Sequence, residues 1–258
     1  MRKCENGSRI ALVTGASSGI GAAVAERFAR DGMGLVLLGR DVAKLRGVGA
    51  RLSAMVRVRT CSVDFSRPKR LLRTVESLGL DRLDALVHAA GMLVGGSLMG
   101  SGESRLSEMM SVNVQAAMMI TRALLPALEQ AGGTTVFINS SGVLRPQPMT
   151  GEYIATKHAL RGLTDALRDE VNKRGVRVTS IYPGRTATPM QIAVHAAEGI
   201  QYHPEYLLQP ADVAELVTCA VNLPRSAELL DVFIRPMRLA PQLPVHKANS
   251  RRAVRSRA

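Results

Sequence analysis

The sequence contains no Trp, and aromatic residues make up only 3% of its 258 residues. Stacking platforms for single-stranded nucleic acid are therefore scarce. Cysteine is scarce too. Cys4, Cys61 and Cys219 form no redox or metal-ligand pair by spacing, which suits a reducing cytoplasm better than a disulfide scaffold. No apolar run approaches the ~18 residues that a membrane-spanning helix needs. The first eight residues hold no signal-peptide core. These absences predict a cytoplasmic protein with no membrane role and no metal site.

What is present is a core-forming composition, with 46% apolar and 21% charged residues. The charge is lopsided, at 34 Lys plus Arg against 21 Asp plus Glu, a formal +13. Six basic residues and no acidic one lie in 238–258, beyond Pro236 and interrupted by Pro241 and Pro244. Nothing there repeats at a helical period, so 238–258 reads as a flexible basic tail. It is either a solvated chain end or a weak electrostatic lure for nucleic acid or an anionic surface.

Between an N-terminal extension, 1–8, and this tail, strand-length apolar runs alternate with amphipathic segments. The strands are expected at 9–14, 34–38, 56–63, 85–88, 134–139, 176–181 and 230–234. The helices are expected near 20–30, 41–53, 67–78, 103–130, 152–173 and 211–222. Strands that are apolar throughout, separated by helices, imply a parallel sheet covered on both faces. Right-handed crossovers then make one α/β domain over 9–237, a Rossmann-type doubly wound sheet of about seven strands. Ligands of such sheets bind at the carboxyl ends of the strands.

The first strand runs into TGASSGIG, residues 14–21, and then a helix. Glycines at 15, 19 and 21 allow a sharp turn, close approach of a pyrophosphate and tight helix–strand packing. The helix N-terminus then faces the anion. Such a turn is also compatible with a purely structural role. At the end of the second strand, where an NAD site places a carboxylate, Gly39 leaves the position empty and Arg40 follows. Its guanidinium suits a 2′-phosphate, although Asp41 keeps NAD(H) as the less favoured alternative. Asp41 otherwise begins the next helix.

Two helical stripes carry polar residues. In 103–130, Asn113 falls on the stripe of Leu106, Met110, Ala117, Ile120, Leu124 and Leu128, so its amide needs partners; bracing the backbone of a neighbouring loop is the rival account to a role in the site. In 152–173 the stripe Leu160, Leu163, Leu167, Val171 extends back to Lys157 and Tyr153. Side chains at i and i+4 share a helix face, and a nearby ammonium favours phenolate over phenol. A lysine that reaches solvent beside a surface tyrosine is the rival account. Ser140 and Ser141 end the fifth strand, where a hydroxyl either polarises a carbonyl or shapes a turn.

TGASSGIG, an inward Asn, a strand-end Ser and YIATK at 153–157 together resemble the short-chain dehydrogenase/reductase family in its compact form, from about residue 9 to 236. The resemblance implies an NADP(H)-dependent oxidoreductase that interconverts a ketone or aldehyde and an alcohol. It implies Asn113, Ser140, Tyr153 and Lys157 as catalytic residues. Tyr153 is the proton donor or acceptor, Ser140 positions the carbonyl oxygen, and Lys157 lowers the tyrosine pKa and holds the nicotinamide ribose. Asn113 fixes a water that links Lys157 to solvent. Ser140 lies thirteen residues before Tyr153, the family spacing, with Ser141 as the alternative. The cofactor set implied is Gly15, Ser17, Ser18, Gly19, Ile20, Gly21, Arg40, Asp64, Phe65, Ala90, Gly91, Tyr153, Lys157, Pro183, Gly184, Thr186 and Thr188. Family members commonly form dimers or tetramers through the two long helices.

One departure stands out. The family's Asn-Asn-Ala-Gly reads His88-Ala89-Ala90-Gly91 here, so the hydrogen bonds those amides make must be replaced, and His88 is expected to be a core histidine. A lid is expected near 189–210, with Met190, Ile192, His195, Tyr202 and Tyr206. With Leu93, Val94, Leu144 and Met149 it suggests an apolar chamber and a lipophilic small-molecule substrate. The competing class is a non-catalytic, NADP-responsive binding or regulatory protein that contacts nucleic acid through its tail.

Overall fold

The computed structural model describes residues 9–100 and 102–237. The expected N-terminal extension and basic tail lie outside the described residues. Seven strands, β1 (Ile10–Thr14), β2 (Gly34–Gly39), β3 (Val58–Ser62), β4 (Ala85–His88), β5 (Thr134–Ile138), β6 (Arg177–Pro183) and β7 (Asp231–Ile234), form one sheet in the order 3-2-1-4-5-6-7. Every neighbouring pair is parallel. The strand order reverses between β1 and β4, and this switch point opens a crevice at the carboxyl edge.

Alternation along the strands explains why they are apolar throughout. Ala11 and Val13 of β1, Leu35 and Leu37 of β2, and Ala85 and Val87 of β4 enter one core. There they meet Val24, Ala25 and Phe28 of α1 (Gly19–Arg30) and Val213 and Val217 of α8 (Pro210–Asn222). Leu12, Val36 and Leu86 enter the opposite core. That core is closed by Leu71 and Val75 of α3 (Pro68–Glu76), Ile120 and Leu124 of α5 (Ala116–Ala131) and Leu160 of α6 (Gly151–Val171). Period-two alternation with both faces covered makes both sides of the central strands largely apolar, and buried polar strand residues such as Thr14, His88 and Ser180 are hydrogen-bonded. α2 (Val42–Leu52) packs Leu45 and Leu52 on the α1 side.

The expected helix at 103–130 is α4 (Glu103–Met110), a π-helical turn at Ser111–Gln115 and then α5. A π turn takes an extra residue to come round, so the face upstream of it is rotated. Leu106, expected in the core, is 39% exposed, and Met109 rather than Met110 is fully buried. Leu163, expected on the inward stripe of α6, is 43% exposed, and its neighbour Thr164 is buried instead, where its hydroxyl meets that of Ser180. The segment expected as a lid contains α7 (Pro189–Glu198), a helix absent from the expected element list, followed by a single 3-10 turn at Pro204–Tyr206. Among the described residues, no helix is long and apolar enough to cross a membrane.

Candidate active site

A cleft of about 960 Å³ opens at the carboxyl edge of the sheet. Its floor is the glycine-rich turn after β1. Gly15 has φ +67°, and a Cβ there would lie 2.7–2.8 Å from the backbone of Ala89 and Ala90. Only glycine permits both that conformation and that approach. Gly15, Ser17, Ser18, Gly19 and Ile20 line the cleft. Gly21 does not; it lies behind, where a Cβ would collide with the Gly15 carbonyl oxygen. Its part is close packing of α1 on the turn.

Beyond β2, Asp41 caps α2 by accepting from the Lys44 N–H at 3.0 Å, and that bond holds its carboxyl below the usual range. Its carboxylate is therefore engaged. A Cβ at Gly39 would meet Ser17 Oγ at 3.4 Å and Leu45 at 3.2 Å, so a ribose-binding carboxylate has little room there. Arg40 is exposed, lines the cleft and has no ion-pair partner among the described residues. This set fits a dinucleotide whose adenosine ribose carries a phosphate: a side-chain cradle at Ser17 and a guanidinium at Arg40 that makes no ion pair among the described residues, although it lies within electrostatic reach of Asp64. Asp64 and Phe65 line the same end. Asp64 accepts from the Ser66 hydroxyl and N–H at 2.7 and 3.0 Å, which keeps it ionised.

The junction of β1 and β4 shows how the family's missing amides are replaced. Thr14 Oγ1 accepts from the N–H groups of both Ala89 and Ala90 at 3.1 Å and donates to Val87 O at 3.3 Å. His88 stacks on Phe137 with ring centroids 4.7 Å apart, and its Nε2 lies 2.8 Å from Thr121 Oγ1. That hydroxyl already donates to Ala117 O, so Nε2 carries the proton and His88 is the donor. Burial pushes the imidazole pKa down to about 3. It is a neutral core histidine, as expected, and it does not line the cleft.

The opposite wall carries the reactive set. Ser140 Oγ accepts from the Gly142 N–H at 3.1 Å. Its own proton is thereby left free to point toward the Tyr153 phenol, whose pKa the Ser140 hydroxyl lowers. Lys157 is buried on the same face of α6, its ammonium 5.6 Å from the Tyr153 ring centroid and donating to Ile138 O at 2.9 Å. All three line the cleft. Burial pushes the Tyr153 phenol up to about 12, with Ser140 acting in the opposite sense, and brings the Lys157 ammonium down to about 8. The lowered tyrosine pKa expected from the Lys–Tyr pair is thus not a property of these side chains alone, because desolvation by burial outweighs the opposing effect of Ser140.

Asn113, in the π turn, stands behind the cleft rather than on its wall. Its amide clamps the backbone of Met92 from both sides, Nδ2 to Met92 O at 2.9 Å and Met92 N to Oδ1 at 2.7 Å. It also donates to Thr156 Oγ1 at 3.0 Å. The post-β4 loop, with Ala90 and Gly91 on the cleft wall, is thereby fixed to α6. Asn139 escaped the sequence reading although it directly follows β5, beside Ser140. It is buried, accepts from the Ser140 N–H at 2.9 Å and donates to Lys157 O at 3.3 Å, joining the serine's strand to the lysine's helix. An amide at the end of an apolar strand was the available signal.

Pro183, Gly184, Thr186 and Thr188 line the cleft. Thr188 also caps α7 through the Gln191 N–H at 3.3 Å. The substrate end keeps apolar side chains, Met92, Val112, Ile154 and Val194 among them, but not most of those expected there. Leu93 and Met190 line it, but Val94, Leu144, Met149, Ile192, His195, Tyr202 and Tyr206 do not. Glu108, Arg145, Gln147, Thr150 and Gln191 do, and Leu144 and Met149 face outward.

The sequence profile of the short chain dehydrogenase family matches residues 9–199, and the chain belongs to that family. An uncharacterized oxidoreductase from Staphylococcus saprophyticus is 32% identical over 234 residues, covering 89% of this chain and 97% of its own. Two solved structures are also similar. An alcohol dehydrogenase from the archaeon Thermococcus sibiricus, complexed with 5-hydroxy-NADP, has a TM-score of 0.81 at 27% identity, covering 92% of this chain and all of its own. L-sorbose reductase from Gluconobacter frateurii, complexed with NADPH and L-sorbose, has a TM-score of 0.81 at 26% identity, covering 88% and 95%.

Proposed function

We propose that this protein is an NADP(H)-dependent oxidoreductase that interconverts a ketone or aldehyde and an alcohol, with Tyr153 exchanging the proton. The observation that carries the reading is the convergence of Ser140, Tyr153 and Lys157 on one wall of a cleft whose other end presents Arg40. Held by the glycine-rich turn, Arg40 and the loop at 183–188, NADPH would supply a hydride to the carbonyl carbon, and NADP+ would accept one from the alcohol in reverse. In reduction, the Tyr153 phenol gives its proton to the carbonyl oxygen. The Ser140 hydroxyl, oriented by the Gly142 N–H, donates to that same oxygen. Positioned donors aimed at developing charge lower the barrier without reorganisation.

Lys157 holds the ribose hydroxyls and places positive charge by the phenolate that forms. Asn113 supports proton resupply by positioning the loop and helix through which water reaches Lys157. The segment 189–210 serves as a lid, since Met190, Gln191 and Val194 of α7 line the cleft. The substrate is a small carbonyl or alcohol bearing polar groups rather than a purely lipophilic one. The side chains of Arg145, Gln147 and Glu108 at the cleft wall support this. Pairing of subunits through α4, α5 and α6 is supported by Leu106 and Leu163, which turn outward. A cytoplasmic setting is supported by the free thiols of Cys61 and Cys219.

The test is a spectrophotometric screen of NADPH oxidation against carbonyls graded in size and polarity. Turnover is expected with hydroxylated or charged small carbonyls, and with NADPH in preference to NADH. No turnover with any carbonyl, nor with NADP+ and the matching alcohols, would refute the oxidoreductase reading.

A further inference from the structure

The positive charge of the described chain is concentrated at one edge of the sheet. Residues 40–73, which run from the end of β2 through α2 and β3 into α3, contain ten Lys or Arg and two Asp, a net +8 of the formal +13. The tail at 238–258 accounts for six more, so the remainder of the chain is close to neutral. Both acids in this stretch are engaged. Asp41 caps α2 and lies 3.5 Å from Lys44 Nζ, while Asp64 is held by Ser66 and lies 3.2 Å from Arg67 Nε. Lys69, Arg70 and Arg73, by contrast, are exposed and have no ion-pair partner among the described residues.

The placement of two of the three runs against local stability, whereas Arg73 lies in the last turn of α3, where a cation is favoured. Lys69 and Arg70 occupy the first turn of α3, which has no acidic residue and follows Arg67 at the N-cap. Cations at a helix N-terminus face the positive end of the helix dipole. A local conflict of this kind points to selection for something other than folding. The turn is also next to the phosphate end of the cleft. β3 delivers the chain to it directly through Asp64, Phe65 and Ser66, which line the cleft, and the Ser62 hydroxyl donates to Arg40 O at 3.2 Å across the two loops. Lys69, Arg70 and Arg73 themselves do not line the cleft.

We propose that Lys69, Arg70 and Arg73 form an electrostatic capture rim that draws the 2′-phosphorylated dinucleotide into the cleft and adds to the selection of NADP(H) over NAD(H) without touching it. The inference rests on the NADP(H) reading above. A 2′-phosphate adds roughly −1.5 to −2 charges at neutral pH. A one-signed cleft mouth raises association rates by about 10- to 1000-fold in steered systems, an effect that salt removes. Fields from exposed side chains extend over about 8–10 Å at physiological ionic strength, so residues one helical turn beyond the contact shell still act.

The experiment measures association and dissociation rates by stopped flow, from the fluorescence of the reduced nucleotide itself, between low salt and 0.5 M NaCl. The absence of Trp keeps protein emission small. With Lys69→Gln, Arg70→Gln and Arg73→Gln combined, the NADPH association rate is expected to fall about three- to tenfold at low salt. It should converge with the unaltered protein at high salt, with an unchanged dissociation rate, a smaller loss for NADH and an unlowered Tm. Arg40→Ala, which removes a contact, should instead speed NADPH dissociation. An association rate unchanged in the triple variant, or lowered equally for NADH, overturns the rim while leaving the cofactor reading intact. No NADPH binding by the unaltered protein overturns both.

Discussion

At the scale of single residues, the reactive set depends on opposed effects of burial. Desolvation keeps the Tyr153 phenol protonated far above neutral pH and makes the Lys157 ammonium easier to discharge. As an acid in carbonyl reduction, Tyr153 is therefore loaded at every working pH, and the group that titrates first is Lys157. Its lowered pKa means that it is charged below about pH 8 and neutral above. The reductive kcat/KM, which reports groups of the free enzyme, is expected to be level below pH 8 and to fall as pH rises past it. In Lys157→Arg, whose charge persists, residual activity should lack that fall. A pH–rate profile with NADPH measures both. A profile of the unaltered protein that stays flat to pH 9.5 would detach the ammonium from the reaction.

Elements show why some of this was legible in the sequence and some was not. The parallel strands were readable because burial on both faces leaves an uninterrupted apolar run, as in Leu35–Leu38 of β2. TGASSGIG was readable because Gly15 and Gly21 sit where backbone meets backbone and Gly19 takes a positive φ. The π turn at Ser111–Gln115 was not, since a single extra residue leaves no compositional mark. It rotated Leu106 out and Met109 in, while the downstream positions from Asn113 onward kept their places. The substitution at the end of β4 was visible, but its remedy was not. Thr14 belongs to the glycine motif and Thr121 to α5, and only the fold brings both to β4.

That remedy has a pH signature. His88 is buried neutral with a pKa near 3, against an unfolded value near 6.5. The stability it confers is complete above pH 6.5 and is lost as pH falls from there toward 3, at up to about 1.4 kcal/mol per pH unit. Urea midpoints at pH 7, 5.5 and 4.5 are expected to fall more steeply for the unaltered protein than for His88→Gln. Equal slopes would mean that His88 is not the buried neutral group.

For the whole molecule, the sheet's reversal between β1 and β4 sets one continuous cleft between the glycine turn and α6, and that placement turns scattered motifs into a site. The fold class and most of the cleft wall followed from pattern and family resemblance. The character of the substrate end did not, because the direction of side chains in the 144–150 and 189–210 segments is decided by packing rather than by periodicity. Leu144 and Met149 turned out, and Arg145 and Gln147 turned to the cleft.

The most direct measurement pairs nucleotide affinity with single-turnover reduction in Tyr153→Phe, a change that deletes one hydroxyl and keeps the ring beside Lys157. The expected result is an NADPH dissociation constant within about twofold of the unaltered protein and a reduction rate lowered by two to four orders of magnitude, roughly the contribution of a positioned acid. Turnover retained in the purified variant would contradict the assignment of Tyr153 as proton donor and with it the chemistry assigned to this cleft.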